Sequence, residues 1–348
     1  GVDSPLVSAI AREQTGPDLK AFTISIPGWG QDESEDAKHY AKHLDLDHHI
    51  MSINGDEALD ALDDVIHAQH EPFGDYSIFP TLLVSKIARP EITVALSGDG
   101  GDELFFGYER PLSLLRSGKD FRWPWLFRLG LYGAGKYGLL PKKSGAIVSK
   151  NPGEYYFGVN SRFSNTWLGK IAPGLAKSAC NPGLYAFDGY QSELDLANYS
   201  RYVEFYGQLQ RGLKKVDMAS SEVSLEVRVP LLDREIIDLS LKINPFDMMQ
   251  GGQRKWILRK LLEKHVPPGM IPTSKRGFAI PLGEWMRGPL KSRVESTLFD
   301  QPLYPDGILN REAIMGYWHE HLSGQKNHKW GLWTLLSLQW WAQNHLPS

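Results

Sequence analysis

The stretch from Ile92 to Glu103 constrains the fold more than any other. A β-branched apolar run, Ile92 to Leu96, stops abruptly at Ser97-Gly98-Asp99-Gly100-Gly101-Asp102-Glu103. This pattern predicts a strand, a phosphate-sized loop and a helix. Gly98, Gly100 and Gly101 let the backbone turn left-handed and approach a ligand closely, while successive N–H groups form an anion-binding concavity at a helix N-terminus. Three carboxylates, Asp99, Asp102 and Glu103, share the loop. They would repel a bare phosphate, so either Mg²⁺ bridges the two or one carboxylate handles a proton. A Gly/Asp-rich turn with no ligand is the bland alternative for any G-x-G-G. The thirteen residues from Leu96 to Tyr108 are more specific than that.

The flanking sequence alternates strand and helix. Lys20 to Ile26 reads as a strand, and Ser34 to Leu46 as a helix whose Ala37, Tyr40, Ala41 and Leu44 share one face. A short strand, His48 to Ile53, follows, then helices over Asp56 to Gln69 and Phe79 to Ala88. Before all of these, Leu6, Val7, Ala9 and Ile10 begin an apolar helix face, with Pro5 suited to its first turn. Such alternation predicts an α/β fold, a parallel sheet with helices on both faces that binds ligands outside the carboxyl ends of its strands. A largely helical C-terminal region follows. We divide the chain at 1–110 (α/β core), 111–195 (irregular, mostly helical insertion) and 196–348 (helical region completing the site).

In the insertion, Trp123, Trp125 and scattered glycines give no clean period, and Lys136, Lys142, Lys143 and Lys150 read as a solvated face. Further on, Asp233 is a candidate cap for a helix from Glu235 to Leu241, and Glu226 and Arg228 could form a buried salt bridge. Gln253 to Leu262 reads as a helix that places Lys255 and Arg259 one turn apart.

Composition excludes several classes. A net charge of −3 over 348 residues gives no electrostatic reason to expect nucleic acid or a membrane as partner. The single cysteine, Cys180, rules out an internal disulfide and a Cys-rich metal site, and fits a reducing cytoplasm. No apolar run reaches the roughly 18 residues of a membrane span, and Trp330 to Ala342 reads as a core helix. His48-His49 and His319-Glu320-His321 lack zinc spacing, so all 11 histidines read as structural or exposed.

Ser97 to Glu103, with Phe105, Gly107 and Tyr108, resembles the synthetase half of glutamine-hydrolysing asparagine synthetases, members of the ATP-pyrophosphatase (PP-loop) superfamily. Phe106 stands where a Gly is common. Gly1-Val2-Asp3-Ser4 resembles the end of the PP-loop pattern Ser-Gly-Gly-x-Asp-Ser, with Pro5 where a second Ser is often found. Lys215, Asp217, Leu225, Glu226, Arg228, Pro230, Leu232 and Asp233 fit a second family block; Met218 and Ser221 depart from it. Lys255 matches a phosphate-reaching Lys, and Lys275, Arg276, Gly277 and Phe278 match a basic loop.

The resemblance implies an adenine nucleotide alpha hydrolase-like fold that binds ATP and Mg²⁺. It implies nucleotide contacts from Gly1, Ser4, Ser97, Gly98, Gly100 and Gly101. Ile24 either lines the adenine pocket or is an ordinary sheet-core residue. Asp3 and Asp102 would share Mg²⁺, Lys255 would clamp the phosphates, and Asp99 would be the base, although a structural Asp there also fits. Aspartate would be adenylated and then attacked by ammonia from a glutaminase domain upstream, with a homodimer left open. Because the chain begins inside the PP-loop pattern, the resemblance also implies an N-terminally truncated sequence of poor activity as it stands. Two rivals remain: amidation or β-lactam closure on another carboxylate, and a non-catalytic nucleotide-binding scaffold.

Overall fold

The structure, a computed structural model, describes residues 1–30, 32–136, 148–161, 163, 165–176, 183–187, 192–272, 280–300 and 309–345. Lys142, Lys143, Cys180 and the loop Lys275 to Phe278 lie outside the described residues, as does the side chain of Lys136.

The chain opens with helix α1 (Asp3–Thr15), strand β1 (Lys20–Ser25), helix α2 (Ser34–Leu44) and strand β2 (Asp47–Ser52). β1 and β2 pair in parallel, with Lys20 opposite Asp47 and Ser25 opposite Ser52. α2 stops two residues short of the predicted end because Asp45 turns left-handed and the Leu46 amide closes back on the Ala41 carbonyl. The single helix predicted over Asp56 to Gln69 is two, α3 (Gly55–Asp60) and α4 (Leu62–His67). They part at Ala61, whose amide is shared between the carbonyls of Glu57 and Leu59. An Asn54 capping box fixes the start of α3: its side chain accepts from the amides of Asp56 and Glu57 while Glu57 accepts from the Asn54 amide.

Helix α5 (Ile78–Ala88) leads into β3, which spans only Val94–Leu96. The predicted strand was two residues longer. Ile92 is lost to it because the amides of Glu91 and Ile92 both bond the Ala88 carbonyl and extend the helix end instead. β3 pairs in parallel with β4 (Glu226–Arg228), a strand inside the region predicted to be helical. Glu226 and Arg228 do pair, Nε to Oε1 at 2.7 Å, but with side chains 56% and 66% exposed the bridge is not buried as predicted.

The protein is therefore a mostly helical α/β chain with small parallel sheets. Among the described residues the strands form two separate two-stranded sheets, β1-β2 and β3-β4, rather than one sheet. Val94 and Leu96 remain exposed, so β3 is not covered on both faces as the alternation predicted. Helices α6 (Gly101–Leu104), α7 (Glu109–Ser117), α8 (Trp125–Lys136) and α9 (Pro152–Asn160) follow β3.

The largest hydrophobic cluster joins α5, through Phe79 and Leu82, to Trp285, Trp318 and the helix Lys329–His345 with its Trp333, Leu336 and Trp340. The predicted core helix is thus buried, and its Trp333 Nε1 donates to the Phe73 carbonyl at 3.1 Å. Among the described residues no helix is long and apolar enough to cross a membrane. A second cluster matters most for the site. It packs Val2 and Leu6 of α1 against Leu104, Phe105 and Phe106 after the glycine loop, and against Leu258 and Leu262 of the helix Trp256–Leu262.

Candidate functional site

That second cluster brings three segments far apart in sequence to one point. The first is the head of α1, the second the loop Ser97–Gly100 with α6, and the third Lys255, which immediately precedes the helix Trp256–Leu262. Lys255 adopts a left-handed conformation, φ 56°, and is buried. Its ammonium contacts both Asp3 Oδ2 and Asp102 Oδ1. Burial alone would lower its pKa, but the Coulomb attraction of Asp102 and Asp3, with hydrogen bonds to both, outweighs it and the pKa rises. Lys255 is a fixed cation.

The glycines permit this approach. A Cβ on Gly98 would lie 2.7 Å from the Ser4 amide nitrogen and 2.8 Å from Asp3 Cβ, and one on Gly101 would lie 2.5 Å from Asp3 Oδ1. A side chain at Gly107 would overlap the Asp102 carboxylate and the Lys255 stem. In this structure the loop's close approach is thus made to the head of α1. Phe106, the residue standing where a Gly is common, has φ 56° and is almost fully buried in the second cluster. A left-handed conformation costs a non-glycine residue about 1–2 kcal/mol, and burying a Phe side chain contributes about 1.5–3 kcal/mol, so packing holds the strained backbone in place.

The other predicted residues divide. Ser97 Oγ donates to Asp99 Oδ2 at 2.8 Å, and the Ser97 amide bonds the Arg228 carbonyl at 2.9 Å, continuing the β3-β4 ladder into the loop. Gly100, with φ 86°, caps α6 and packs on Leu232. Ser4 presents its amide to Gly98, and the Gly1 carbonyl accepts from Tyr40, whose hydroxyl also reaches Met270 O at 2.8 Å. Ile24 is buried in the largest core cluster. Arg259, one turn from Lys255, donates to Pro272 O at 2.8 Å and Arg254 O at 2.9 Å, so it fixes backbone. Asp233 accepts from the Glu235 amide at 2.8 Å and caps its helix as predicted.

Behind the loop runs a buried polar chain that sequence reasoning missed. Tyr108 Oη donates to Glu103 Oε1 at 2.7 Å, and the Arg110 guanidinium lies 3.9 Å from the centre of the Tyr108 ring. Arg110 forks onto Glu204 through Nε at 2.8 Å and Nη2 at 2.6 Å, and Tyr156 Oη donates to the same carboxylate. Glu204 lies 94 positions from Arg110, and no spacing rule connects them.

Burial, followed by the charge of Asp102, pushes Glu103 up to about 7 from an ordinary 4.5. Below pH 4.5 the group is protonated in both the native and unfolded chains, and it costs nothing. Between 4.5 and 7 the unfolded chain has released a proton the native chain still holds, so stability falls as pH rises. The full effect is on the order of 3 kcal/mol for a buried group shifted this far. Glu103→Gln should remove this slope: the difference in urea-unfolding free energy between parent and variant should change by that order between pH 4.5 and 7.5. Parallel profiles would contradict the assignment.

Asp3 and Asp102 place two hard anionic oxygens around one small cation. This is the donor chemistry Mg²⁺ uses when it takes one or two carboxylates and completes its shell with water and phosphate oxygens. The residues present fit that ion in company with a nucleotide. Among the described residues no group of three or more His, Cys, Asp or Glu could hold a metal unaided.

Comparison with known proteins agrees in direction with this geometry. A match to the asparagine synthase family spans residues 1–343. The chain is 26% identical over 352 residues to asparagine synthetase [glutamine-hydrolyzing] 1 of Bacillus subtilis, covering 98% of this chain and 54% of that protein. Asparagine synthetase B of Escherichia coli is 24% identical over 323 residues, covering 87% of this chain and 44% of that protein. Amidase chyE of Penicillium rubens is 22% identical over 330 residues, covering 85% and 48%. The chain thus spans about half the length of the curated relatives it matches.

Proposed function

The chain belongs to the asparagine synthase family, and we propose that it forms an amide from aspartate and ammonia at the expense of ATP. The observation that carries this reading is the meeting of Lys255, Asp3 and Asp102 at the head of α1, beside a glycine loop that bears Asp99.

Amide formation needs an activated carboxylate, because its own oxygen is a poor leaving group. An aspartate side-chain oxygen attacks the α-phosphorus of ATP and the bond to pyrophosphate breaks, leaving aspartyl-AMP. Ammonia then attacks the acyl carbon, the C–O bond to AMP breaks, and the proton shed by nitrogen goes to Asp99. In the first step charge builds on the phosphates. Lys255 answers it as a buried, preorganised cation, and the amides at the head of α1 and in the loop Ser97–Gly101 donate to the phosphate oxygens. Mg²⁺, held by Asp3 and Asp102, would neutralise triphosphate charge when bound. Gly1, Ser4, Ser97, Gly98, Gly100 and Gly101 would then line the nucleotide, with 1–110 as the nucleotide unit, 111–195 an insertion and 196–348 the region bringing Lys255.

The names of the bacterial relatives carry the term glutamine-hydrolyzing, which supports ammonia from a glutaminase domain. A reducing cytoplasm suits the single cysteine. The second reading, amidation of another carboxylate, is favoured by the similarity to the Penicillium amidase. In a chain extended upstream of Gly1 to complete the loop pattern, incubation with ATP, Mg²⁺, ammonium and aspartate should yield AMP and asparagine in equal amounts. AMP formed only with a different carboxylate would favour the second reading, and ADP in place of AMP would overturn adenylation.

A further inference from the structure

Two half-buried cations on the helix Gln210–Ser221, Arg211 and Lys215, have donors to spare. They stand one turn apart on one face, and both act on Asp75, just before the head of α5. Asp75 is buried and its own oxygens are engaged. Oδ1 accepts from the Ser77 amide at 3.0 Å and the Ser77 hydroxyl at 2.7 Å, and Oδ2 lies 3.1 Å from Arg211 Nε. Burial would raise the Asp75 pKa, but the charge of Arg211, the bonds from Ser77 and the charge of Lys215 outweigh it and hold the carboxyl below its usual range. Arg211 Nε is not aligned as a donor to that oxygen, so Asp75 fixes the guanidinium without occupying its Nη groups. Among the described residues Arg211 has no partner but Asp75, and the Lys215 ammonium has no hydrogen bond or ion pair. Their neighbour Lys214 differs: it is exposed and paired with Glu71 at 2.5 Å.

The topology places this cluster at the edge where the glycine loop begins. Residues 89–93 join α5 to β3, and residues 222–225 join the helix Gln210–Ser221 to β4. Connections this short turn each helix back along the strand it feeds. The head of α5 and the first turns of the helix Gln210–Ser221 therefore lie toward the carboxyl ends of β3 and β4. The lengths agree: the 11 residues of α5 rise about 16 Å, against about 10 Å for the 3 residues of β3. The two helices pack on each other, and the segment Glu204–Leu209 that leads toward Arg211 packs on α6. Parallel α/β sheets bind their ligands outside that edge. Two cations against one carboxylate leave the cluster net positive.

We propose that Arg211 and Lys215 hold a second carboxylate of the acceptor substrate, the one that is not adenylated, and so restrict that substrate to dicarboxylates. The assignment rests on the amide-forming reading above. For aspartate the held group is the carboxylate on Cα, which leaves the side-chain carboxylate for the phosphates. The planar guanidinium offers two parallel donors to such a group, and the Lys215 ammonium adds a point charge. A plain ion pair tying α5 to the helix Gln210–Ser221 would account for Arg211 but not for Lys215, which faces Asp75 without bonding it.

The test is calorimetric titration of L-aspartate and of 3-aminopropanoate, which is aspartate without its Cα carboxylate, into the chain extended upstream of Gly1. Mg²⁺ and α,β-methylene-ATP are present, so that no pyrophosphate can leave. The parent should bind aspartate at least about tenfold more tightly than 3-aminopropanoate, the usual size of a charge-assisted pair. Lys215→Met should lower the affinity for aspartate about tenfold and leave that for 3-aminopropanoate unchanged. Lys215→Arg should keep most of the difference, and Lys214→Met should match the parent. A parent that binds the two ligands alike, or a Lys215→Met variant that loses both equally or neither, would overturn the subsite while amide formation from aspartate stands. If aspartate fails to bind but another dicarboxylate binds and is weakened about tenfold by Lys215→Met, the subsite holds and the aspartate reading falls. A parent that binds no dicarboxylate would overturn both.

Discussion

Lys255→Ala should lower ATP-dependent turnover by about two to three orders of magnitude, the usual loss when one preorganised electrostatic donor is removed from a reacting centre. The alanine also leaves Asp3 and Asp102 facing each other with no cation between them. Two carboxylates that close cannot both stay ionised cheaply, so the variant should either take up a proton or recruit a cation. A second readout follows that does not depend on turnover. Millimolar Mg²⁺ should raise the melting temperature of Lys255→Ala more than that of the parent, because in the parent the ammonium already lies between the carboxylates. Equal shifts would show that the two carboxylates do not cooperate in holding a cation.

Arg110→Ala should be the most destabilising single change in the polar chain behind the loop, at about 3–5 kcal/mol. Glu204 is 1% exposed and accepts both guanidinium bonds, so losing Arg110 leaves a buried carboxylate with only the Tyr156 hydroxyl named above. Arg110 is itself held charged: burial would lower its pKa, but the bond to Glu204 raises it further. Because the cost comes from the orphaned charge, Arg110→Met combined with Glu204→Leu should recover most of the loss, as apolar replacements of buried ion pairs commonly do. Urea unfolding of the single and double variants measures this directly. A double variant as unstable as Arg110→Ala would show that the pair matters through packing instead.

How much of this was legible depended on whether a signal was local. The glycine loop and the apolar face of α2 are set by spacings of a few residues, and the structure places both as expected; the helix expected over Gln253 to Leu262 instead begins at Trp256, with Lys255 left-handed just before it. Glu226-Val-Arg228 was misread because a three-residue strand is too short to show a period of two; its pairing with Val94–Leu96 is decided by tertiary contact. Ile92 carried a strand residue's composition, yet the end of α5 claims its amide. The Arg110–Glu204–Tyr156 cluster joins three separate segments, and none of its members is unusual in its own neighbourhood. The left-handed backbone at Phe106 supplies a physical reason for the glycine common at that position in the family, a reason no propensity scale could offer for a phenylalanine.

The most direct test of the central claim is aspartate-dependent exchange between ATP and pyrophosphate, in the presence of Mg²⁺, in the parent and in Asp102→Asn. The substitution keeps the shape of the side chain beside Gly107 and Lys255 while removing its charge and exchanging one acceptor oxygen for an NH2 donor. In a chain extended upstream of Gly1 to complete the Ser-Gly-Gly-x-Asp-Ser pattern, exchange that requires aspartate in the parent and falls at least about a hundredfold in the variant is the predicted result. Exchange that survives in Asp102→Asn at the parental rate would contradict the claim that the carboxylates at the head of α1 form the nucleotide and metal site.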